Sequence, residues 1–360
     1  MSNSYGNALK VTLFGESHGP EIGIVIDGLV AGTKISEERI KEKLSLRRPS
    51  GNISTPRSEA DEFRIVSGVF EGKATGSPIT ILIPNKDTRS KDYSAARYIP
   101  RPSHADYTAF IKYGGNEDYR GGGHFSGRIT AALVAAGAVI SGALEEKGIK
   151  IGTHIKSIYG ICDREFSEYN KDIDLLNSML FPVLDEKMGE EMTKAILKAR
   201  EESDSVGGVL ETAITGLPVG LGEPWFDTVE SCLSHILFSV PAVKGVEFGD
   251  GFELANKKGS EVNDAFTYKD GTVSTETNHM GGILGGITNG MPVIFRCALK
   301  PTPTIGKEQK TVDIKSGEDI THAFVGRHDP CIVHRARAVI DAASAIAVYD
   351  LILRRKAGEI

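Results

Sequence analysis

Gly15-Glu16-Ser17-His18-Gly19 follows the apolar run Val11-Thr12-Leu13-Phe14, so a strand ends in a turn that presents one histidine. Two glycines let the backbone bend and approach a ligand closely. Ser17 offers a hydroxyl, and His18 a group that titrates near neutral pH. Three further segments have the same character: Arg101-Pro102-Ser103-His104-Ala105-Asp106, Arg120-Gly121-Gly122-Gly123-His124-Phe125-Ser126-Gly127-Arg128 and Gly326-Arg327-His328-Asp329-Pro330-Cys331. Each sets His, Arg, Ser or Asp beside Gly or Pro, as loops that carry acid–base chemistry do. Asp329 lies between Arg327 and Pro330, so an arginine stands near enough to oppose its charge.

Arginines gather at the same turns. Arg47 and Arg48 close a predicted helix before Pro49-Ser50-Gly51, and Arg57 follows; Arg101, Arg120, Arg128, Arg327 and Arg335 sit in or beside the Gly/Pro motifs. A guanidinium fork binds two oxygens of a carboxylate or phosphate at once. In a chain of net charge −6, this clustering points to a small polyanionic ligand and gives nucleic acid no global electrostatic support. Lys300-Pro301-Thr302-Pro303-Thr304 adds a stiffened turn with one ammonium and two hydroxyls, suited to a phosphate.

The elements that must position these residues can be read from periodicity. Strand-like runs cover Gly23–Asp27, Phe63–Phe70, Pro78–Ile83, Gly207–Thr215 and Pro292–Leu299; helix-like runs cover Glu37–Leu46, Gly127–Lys147, Glu186–Glu201, Phe226–Ser239 and Arg335–Arg355. The uncharged run Ile129 to Leu144 is too short for a membrane span and reads as a buried core helix. The polar stretch Asp163–Asp174 reads as a surface loop. Order repeats along the chain: Ile26-Asp27-Gly28-Leu29-Val30-Ala31-Gly32 resembles Ile214-Thr215-Gly216-Leu217-Pro218-Val219-Gly220, and Gly68 to Pro78 resembles Gly282 to Pro292. Two such units predict an α+β fold, a β-α-β sandwich with antiparallel sheets enclosing helices and an internal pseudo-duplication. No low-complexity linker divides residues 1–360, so one domain is expected.

Other classes lose support. Gly281-Gly282-Ile283-Leu284-Gly285-Gly286 lacks the strand before and the helix after that a dinucleotide fingerprint needs. The four scattered cysteines form no Cys-x-x-Cys pair and read as reduced thiols of a cytoplasmic protein; no metal-binding spacing appears. Met1 to Tyr5 shows no secretory pattern, and no membrane partner is expected.

Taken together and in order, these four motifs resemble the chorismate synthase family, as do Asp250-Gly251-Phe252, Asn278-His279-x-Gly281-Gly282-Ile283-Leu284-Gly285-Gly286 and Lys300-Pro301-Thr302. The likeness runs from about Lys10 to Leu353. It implies the last step of the shikimate pathway, a 1,4-anti elimination of phosphate from 5-enolpyruvylshikimate 3-phosphate that gives chorismate and requires non-covalent reduced FMN. By this resemblance His18 matches a histidine near the substrate phosphate, His104 one near flavin N1, and Asp329 an aspartate near flavin N5. Ser17, Arg47, Arg48, Arg57, Arg101 and Arg128 match substrate contacts. Ser126, Ala242, Gly285, Lys300, Pro301, Thr302, Pro303, Thr304 and Arg327 fall where the family holds FMN. A homotetramer is implied as well. Some relatives reduce their own flavin with NAD(P)H, but this chain shows no separate NAD(P)H motif, which favours an external reductant. The chain departs from the common pattern at His124-Phe125, Asn52-Ile53, Ser103 and Asp341, and no role is carried to these positions. A flavin-dependent oxidoreductase and a non-catalytic ligand-binding relative are the alternatives; a binding module would need the arginines but not His18, His104 and Asp329.

Overall fold

The computed structural model of the chain describes residues 3–49, 51–54, 60–86, 97–269, 271–324 and 329–358. The first half contains β1 (Lys10–Gly15), β2 (Glu21–Asp27), α1 (Glu37–Arg47), β3 (Arg64–Ser67), β4 (Ile79–Pro84), α2 (Asp106–Tyr113) and α3 (Thr130–Glu145). The second contains β5 (Lys150–Ile158), α4 (Tyr169–Asn177), α5 (Glu186–Glu201), β6 (Gly208–Thr215), α6 (Val229–Leu237), β7 (Val243–Phe248), β8 (Val293–Leu299) and α7 (Val333–Gly358).

The strands form two antiparallel sheets. One runs Ser4–Tyr5, β1, β2, β4, β3; the other runs β7, β8, β6, β5, Ile161–Cys162. Helices α1 and α3 pack beside α7 and α6 between them, and a continuous buried core joins residues of both sheets. Helix α3 is apolar almost all round, the pattern of a helix covered on every side. The stretch Gly127–Glu145 is, among the described residues, the one helix long and apolar enough to cross a membrane, and 83% of it is buried inside the protein.

The pseudo-duplication is written into the strand order. β1-β2-β4-β3 of the first sheet repeats as β5-β6-β8-β7 of the second, each with a helix after its second strand and another after its fourth in the chain. Gly28 and Gly216, paired by sequence, both hold positive φ, 90° and 78°. A Cβ there would lie 2.1 Å from the Ala8 carbonyl oxygen and 2.2 Å from that of Gly148. Each leaves its sheet by crossing the chain that enters the neighbouring strand, a turn closed to other residues. The Gly-rich run at 281–286 forms part of a hairpin, Ile283–Leu284 against Ile287–Thr288.

Two expectations are corrected. The run Phe63–Phe70 is broken at Gly68, which separates β3 from the hairpin strand Val69–Phe70. The stretch 163–174 is not a surface loop: Tyr169 opens α4, and Asp163 and Asp172 are buried. Asp163 folds inward because His154 on β5 is fully buried and demands partners. Its Nδ1 lies 2.8 Å from Asp163 Oδ2 and its Nε2 3.0 Å from Glu211 Oε1. Burial opposes charge on this imidazole, yet the two carboxylates raise its pKa. Arg296 continues the ladder, 2.6 Å from Glu211 and 3.2 Å from Glu247. Asp172, paired with Arg164, is held down at a pKa of about 2.

Candidate active site

The site is assembled from the ends of the first sheet and from the two connections that follow β4 and β8. In the turn after β1, Ser17 is wholly buried and His18 nearly so. The Ser17 hydroxyl lies 3.1 Å from the Arg120 carbonyl oxygen, 3.2 Å from that of Gly121 and 3.1 Å from His18 Nδ1. Its one proton goes to a carbonyl, so it receives the Nδ1 proton of His18. That leaves Nε2 as the nitrogen at which His18 gains or gives a proton.

Arg120-Gly121-Gly122-Gly123 packs directly on this turn, and the Gly123 carbonyl accepts the Ser17 N–H at 3.1 Å. Gly121 (φ 59°) and Gly122 (φ 84°) are both left-handed. A Cβ on Gly121 would lie 2.2 Å from His18 Cε1, and one on Gly122 3.4 Å from His104 Cε1. The glycine loop therefore touches both histidines through adjacent residues. His124 Nδ1, 2.7 Å from the Gly15 carbonyl oxygen, ties the loop to the end of β1. Arg120 is turned to Asp118 at 2.7 Å, and its hydrogen bond, against the opposing effect of burial, leaves the Asp118 pKa lowered.

His104 sits in a tight turn before α2. Its Nδ1 is 2.7 Å from Asp106 Oδ1, and Arg101 grips the same carboxylate through Nε (2.8 Å) and Nη2 (2.8 Å). Burial works to raise the Asp106 pKa, but the hydrogen bonds from Arg101 and His104 win and hold it well below the usual carboxylate range. Arg101 Nη1 also donates to Thr304 Oγ1 at 3.3 Å, and the Lys300 ammonium donates to the Ser103 carbonyl. The connections after β4 and β8 thus meet, with the histidine on one and the Lys300–Thr304 turn on the other. Burial, with Lys244 nearby, lowers the Lys300 pKa. The Lys300 N–H donates to the carbonyl of Ala242, whose φ is 76°.

A third cluster lies behind His18. Arg47, Arg128 and Asp61 are all buried. Arg128 Nη1 pairs with Asp61 Oδ1, and Arg47 Nη2 lies 3.6 Å from Asp61 Oδ2. Arg128 Nε donates to Asn85 Oδ1 at 3.0 Å, while Asn85 Nδ2 donates to the Glu16 and Gly19 carbonyls at 2.9 and 2.8 Å. This amide links the arginine pair to the His18 turn. Arg48 donates to the Ala60 carbonyl. Asp329 pairs at 2.5 Å with Arg335, which also donates to the Arg47 carbonyl at 2.9 Å. An opposing charge on Asp329 comes from α7 through Arg335; Arg327 and Arg57 lie outside the described residues.

Ser17, His18, Arg128 and Arg47 therefore converge, and His104, Arg101, Lys300 and Thr304 form the adjoining group. Ser126 caps the short turn before α3, its Oγ accepting from the Arg128 N–H at 3.3 Å. Pro301 packs against Gly207, and Pro303 accepts at 3.5 Å from Gln309 through its carbonyl. Gly285 stands apart, at the exposed tip of its hairpin. The sequence reading missed Asp61, Asn85 and Asp106 as working parts. Asp106 could have been found by asking what satisfies an Arg and a His two to five residues away; Asp61 and Asn85 carry no local signal.

The chorismate synthase family model matches residues 9–353. A chorismate synthase of Thermococcus kodakarensis is 45% identical over 354 residues, covering 98% of both chains. One of Agathobacter rectalis is 47% identical over 98% of this chain and 95% of its own. The chain belongs to the chorismate synthase family. A crystal structure of chorismate synthase superposes with a TM-score of 0.74 at 30% identity, over 97% of this chain and 93% of that one. Membership makes the chain an enzyme, a lyase of the shikimate pathway in aromatic biosynthesis.

Proposed function

We propose that the chain converts 5-enolpyruvylshikimate 3-phosphate to chorismate and phosphate by a 1,4-anti elimination that depends on reduced FMN. The observation that carries this reading is the Gly121-Gly122 loop, which abuts His18 and His104 at once and so makes two acid–base groups members of one site. The reaction breaks a ring C–O bond, whose electron pair leaves with phosphate. It also breaks a ring C–H bond, whose pair becomes the new unsaturation while its proton is accepted elsewhere. No net oxidation occurs. His18, with Nδ1 committed to Ser17, offers Nε2 as the atom that donates to the departing phosphate. Arg47 and Arg128, held behind it, supply positive charge for a substrate with two carboxylates and a phosphate. Asp329, clamped by Arg335, is the carboxylate suited to accept a proton.

Lys300, Thr302, Thr304, Ala242, Ser126, Gly285 and Arg327, with Pro301 and Pro303 stiffening the turn, are the residues that would hold FMN. The turn fits such a group, because the buried Thr302 hydroxyl finds no hydrogen-bond partner among the described residues and the Lys300 ammonium lies on the same segment. When bound, the reduced flavin supplies an electron-rich ring that eases departure of phosphate.

An anaerobic assay with reduced FMN tests the proposal: phosphate and chorismate form in equal amounts over many turnovers, with no net oxidation of flavin. His18→Ala and His104→Ala each lower turnover by about 10²–10⁴-fold. Stoichiometric consumption of NAD(P)H with product would favour an oxidoreductase instead, and binding without turnover a ligand-binding relative.

The same reading makes residues 1–360 one domain in a cytoplasmic homotetramer that takes its reduced flavin from an external reductant. The core shared by both sheets supports the first point. The four free thiols support the compartment. The exposed Trp225, Phe226 and Phe252 support association of copies.

A further inference from the structure

We propose that Asp106 is a positioning residue that fixes the tautomer and aim of His104, with Arg101 as the clamp that holds it. The inference rests on the reading of His104 as an acid–base group of the site.

Asp106 is the first residue of α2, where a negative charge faces the positive end of the helix. Its Oδ2 accepts from the Arg101 backbone N–H at 3.0 Å and from Arg101 Nε at 2.8 Å; its Oδ1 accepts from Arg101 Nη2 at 2.8 Å. A carboxylate gripped in this two-pronged way stays ionised, and an ionised carboxylate only accepts. His104 Nδ1, 2.7 Å from Oδ1, must therefore be the donor. A bare Nδ1 at that distance would set its lone pair against an anionic oxygen.

One contact competes. Arg101 Nη2 lies 3.1 Å from the same Nδ1, and an unprotonated ring nitrogen would accept from it. The nitrogen serves one role at a time. The shorter, charge-assisted contact to Asp106 outweighs the longer one. Nδ1 thus carries a hydrogen, and Nε2 is the nitrogen that gains or loses a proton. Nε2 and Cε1 form the ring edge that faces the glycine loop: a Cβ on Gly122 would lie 3.5 Å from Nε2 and 3.4 Å from Cε1. Across that loop stands His18.

The clamp is itself anchored. The His104 N–H donates to the Arg101 carbonyl at 3.1 Å and closes the turn. Ser103 holds it at a φ of 60°, unusual for a residue with a side chain, and the Lys300 ammonium binds the Ser103 carbonyl. Arg101 Nη1 reaches Thr304. The aim of His104 is therefore set by the same segment that the proposed function gives to the flavin. Arg101 acts through Asp106 and His104, since its Nε and one N–H of Nη2 grip the carboxylate that holds the ring.

The test uses full-length protein without flavin, labelled with ¹⁵N-histidine, and two-bond proton–nitrogen correlation spectra; His104→Gln identifies the signal. Wild-type neutral His104 shows a protonated Nδ1 and a bare Nε2. Asp106→Asn, which offers both a donor and an acceptor, gives a mixture or the opposite tautomer, and Asp106→Glu restores much of the original one. Arg101→Lys, which keeps the charge but loses the fork, loosens the same signature and serves if Asp106→Asn fails to fold. In the loaded enzyme, Asp106→Asn lowers kcat tenfold or more, with KM for substrate within about threefold, since a misdirected imidazole hurts chemistry more than binding. A wild-type ring protonated at Nε2, or an unchanged tautomer in both Asp106→Asn and Arg101→Lys, would overturn the proposal. Unimpaired turnover in His104→Ala would instead overturn the role given to His104, whatever the spectra show.

Discussion

Replacing Gly121 by alanine isolates the contact on which the site depends, because Gly122→Ala provides its own control. Both glycines are left-handed, at φ 59° and 84°, so either substitution costs about 1–2 kcal/mol of backbone strain. They differ in what the new methyl meets. At Gly122 the nearest atom is His104 Cε1 at 3.4 Å, an ordinary contact. At Gly121 it is His18 Cε1 at 2.2 Å, with His18 Nδ1 at 2.5 Å and Ser17 Oγ at 3.0 Å. Relief requires the imidazole to retreat by about 1 Å, and misplacement on that scale costs about 10²-fold in rate. The retreat also breaks the Ser17–His18 hydrogen bond that sets the ring. Gly121→Ala therefore loses about two orders of magnitude in turnover, while Gly122→Ala stays within about tenfold of wild type. Urea denaturation gives the larger loss of stability for Gly121→Ala, which adds the clash and the broken hydrogen bond to the shared backbone strain. The assay is phosphate release under anaerobic conditions with reduced FMN. Equal turnover in the two alanine variants, under conditions where both are folded, would refute the claim that the glycine loop is shaped around His18.

Two other perturbations follow from buried charge. Asp61→Asn withdraws the carboxylate shared by Arg47 and Arg128, all three of them buried, and lowers unfolding free energy by about 3–5 kcal/mol; a loss below about 1 kcal/mol in urea titrations would mean Asp61 is not their counter-ion. His334, buried against Ser54 at 2.8 Å, has its pKa pushed down to about 3 by burial and by Arg335. Between about pH 6.5 and pH 3 the unfolded chain then holds a proton that the folded one lacks, so stability falls with falling pH by about 1.4 kcal/mol per unit from this site. His334→Gln flattens that slope, as denaturation midpoints at pH 7 and pH 5 will show, and an unchanged slope would exclude the residue.

Helices and sheet-pairing strands were legible where one periodicity dominated. Helix α5 begins and ends where its pattern does, because it has a polar face and an Asp185 cap. Strand β5 was missed for a physical reason: it is covered on both sides, so Thr153, His154 and Ile155 are all buried and the alternation that marks a half-exposed strand is absent. Helix α4 was hidden by its charges, one of which, Asp172, is buried against Arg164 rather than turned to water. In the site, histidines and arginines announced themselves through flanking glycine and proline. Their acidic partners did not, since a counter-ion is fixed by tertiary distance and not by spacing along the chain. Asp61 and Arg128 meet across 67 residues, and no local pattern encodes that. Asp106 and His104 are two residues apart, yet their contact follows from the fold of one turn rather than from a period.

The duplicated frame explains why the site forms where it does. In each half the fourth strand, β4 or β8, is followed by a long connection before the helix that lies at the centre of the sandwich, α3 or α7. Because α3 packs against α7, the two connections emerge close together. They are sewn to each other by Arg101 to Thr304, Lys300 to Ser103, Thr311 to Pro100 and the Ile314 N–H to the Tyr98 carbonyl. Equivalent positions in the frame thus face one another, while their sequences have diverged. The first connection carries His104 and the glycine loop; the second carries Lys300, Thr302, Thr304 and Asp329. His104 and the Lys300–Thr304 turn therefore reach one place from two copies of one scaffold. Neither half alone brings them together, which is why a reading confined to local motifs recovers the residues but not the contacts between them.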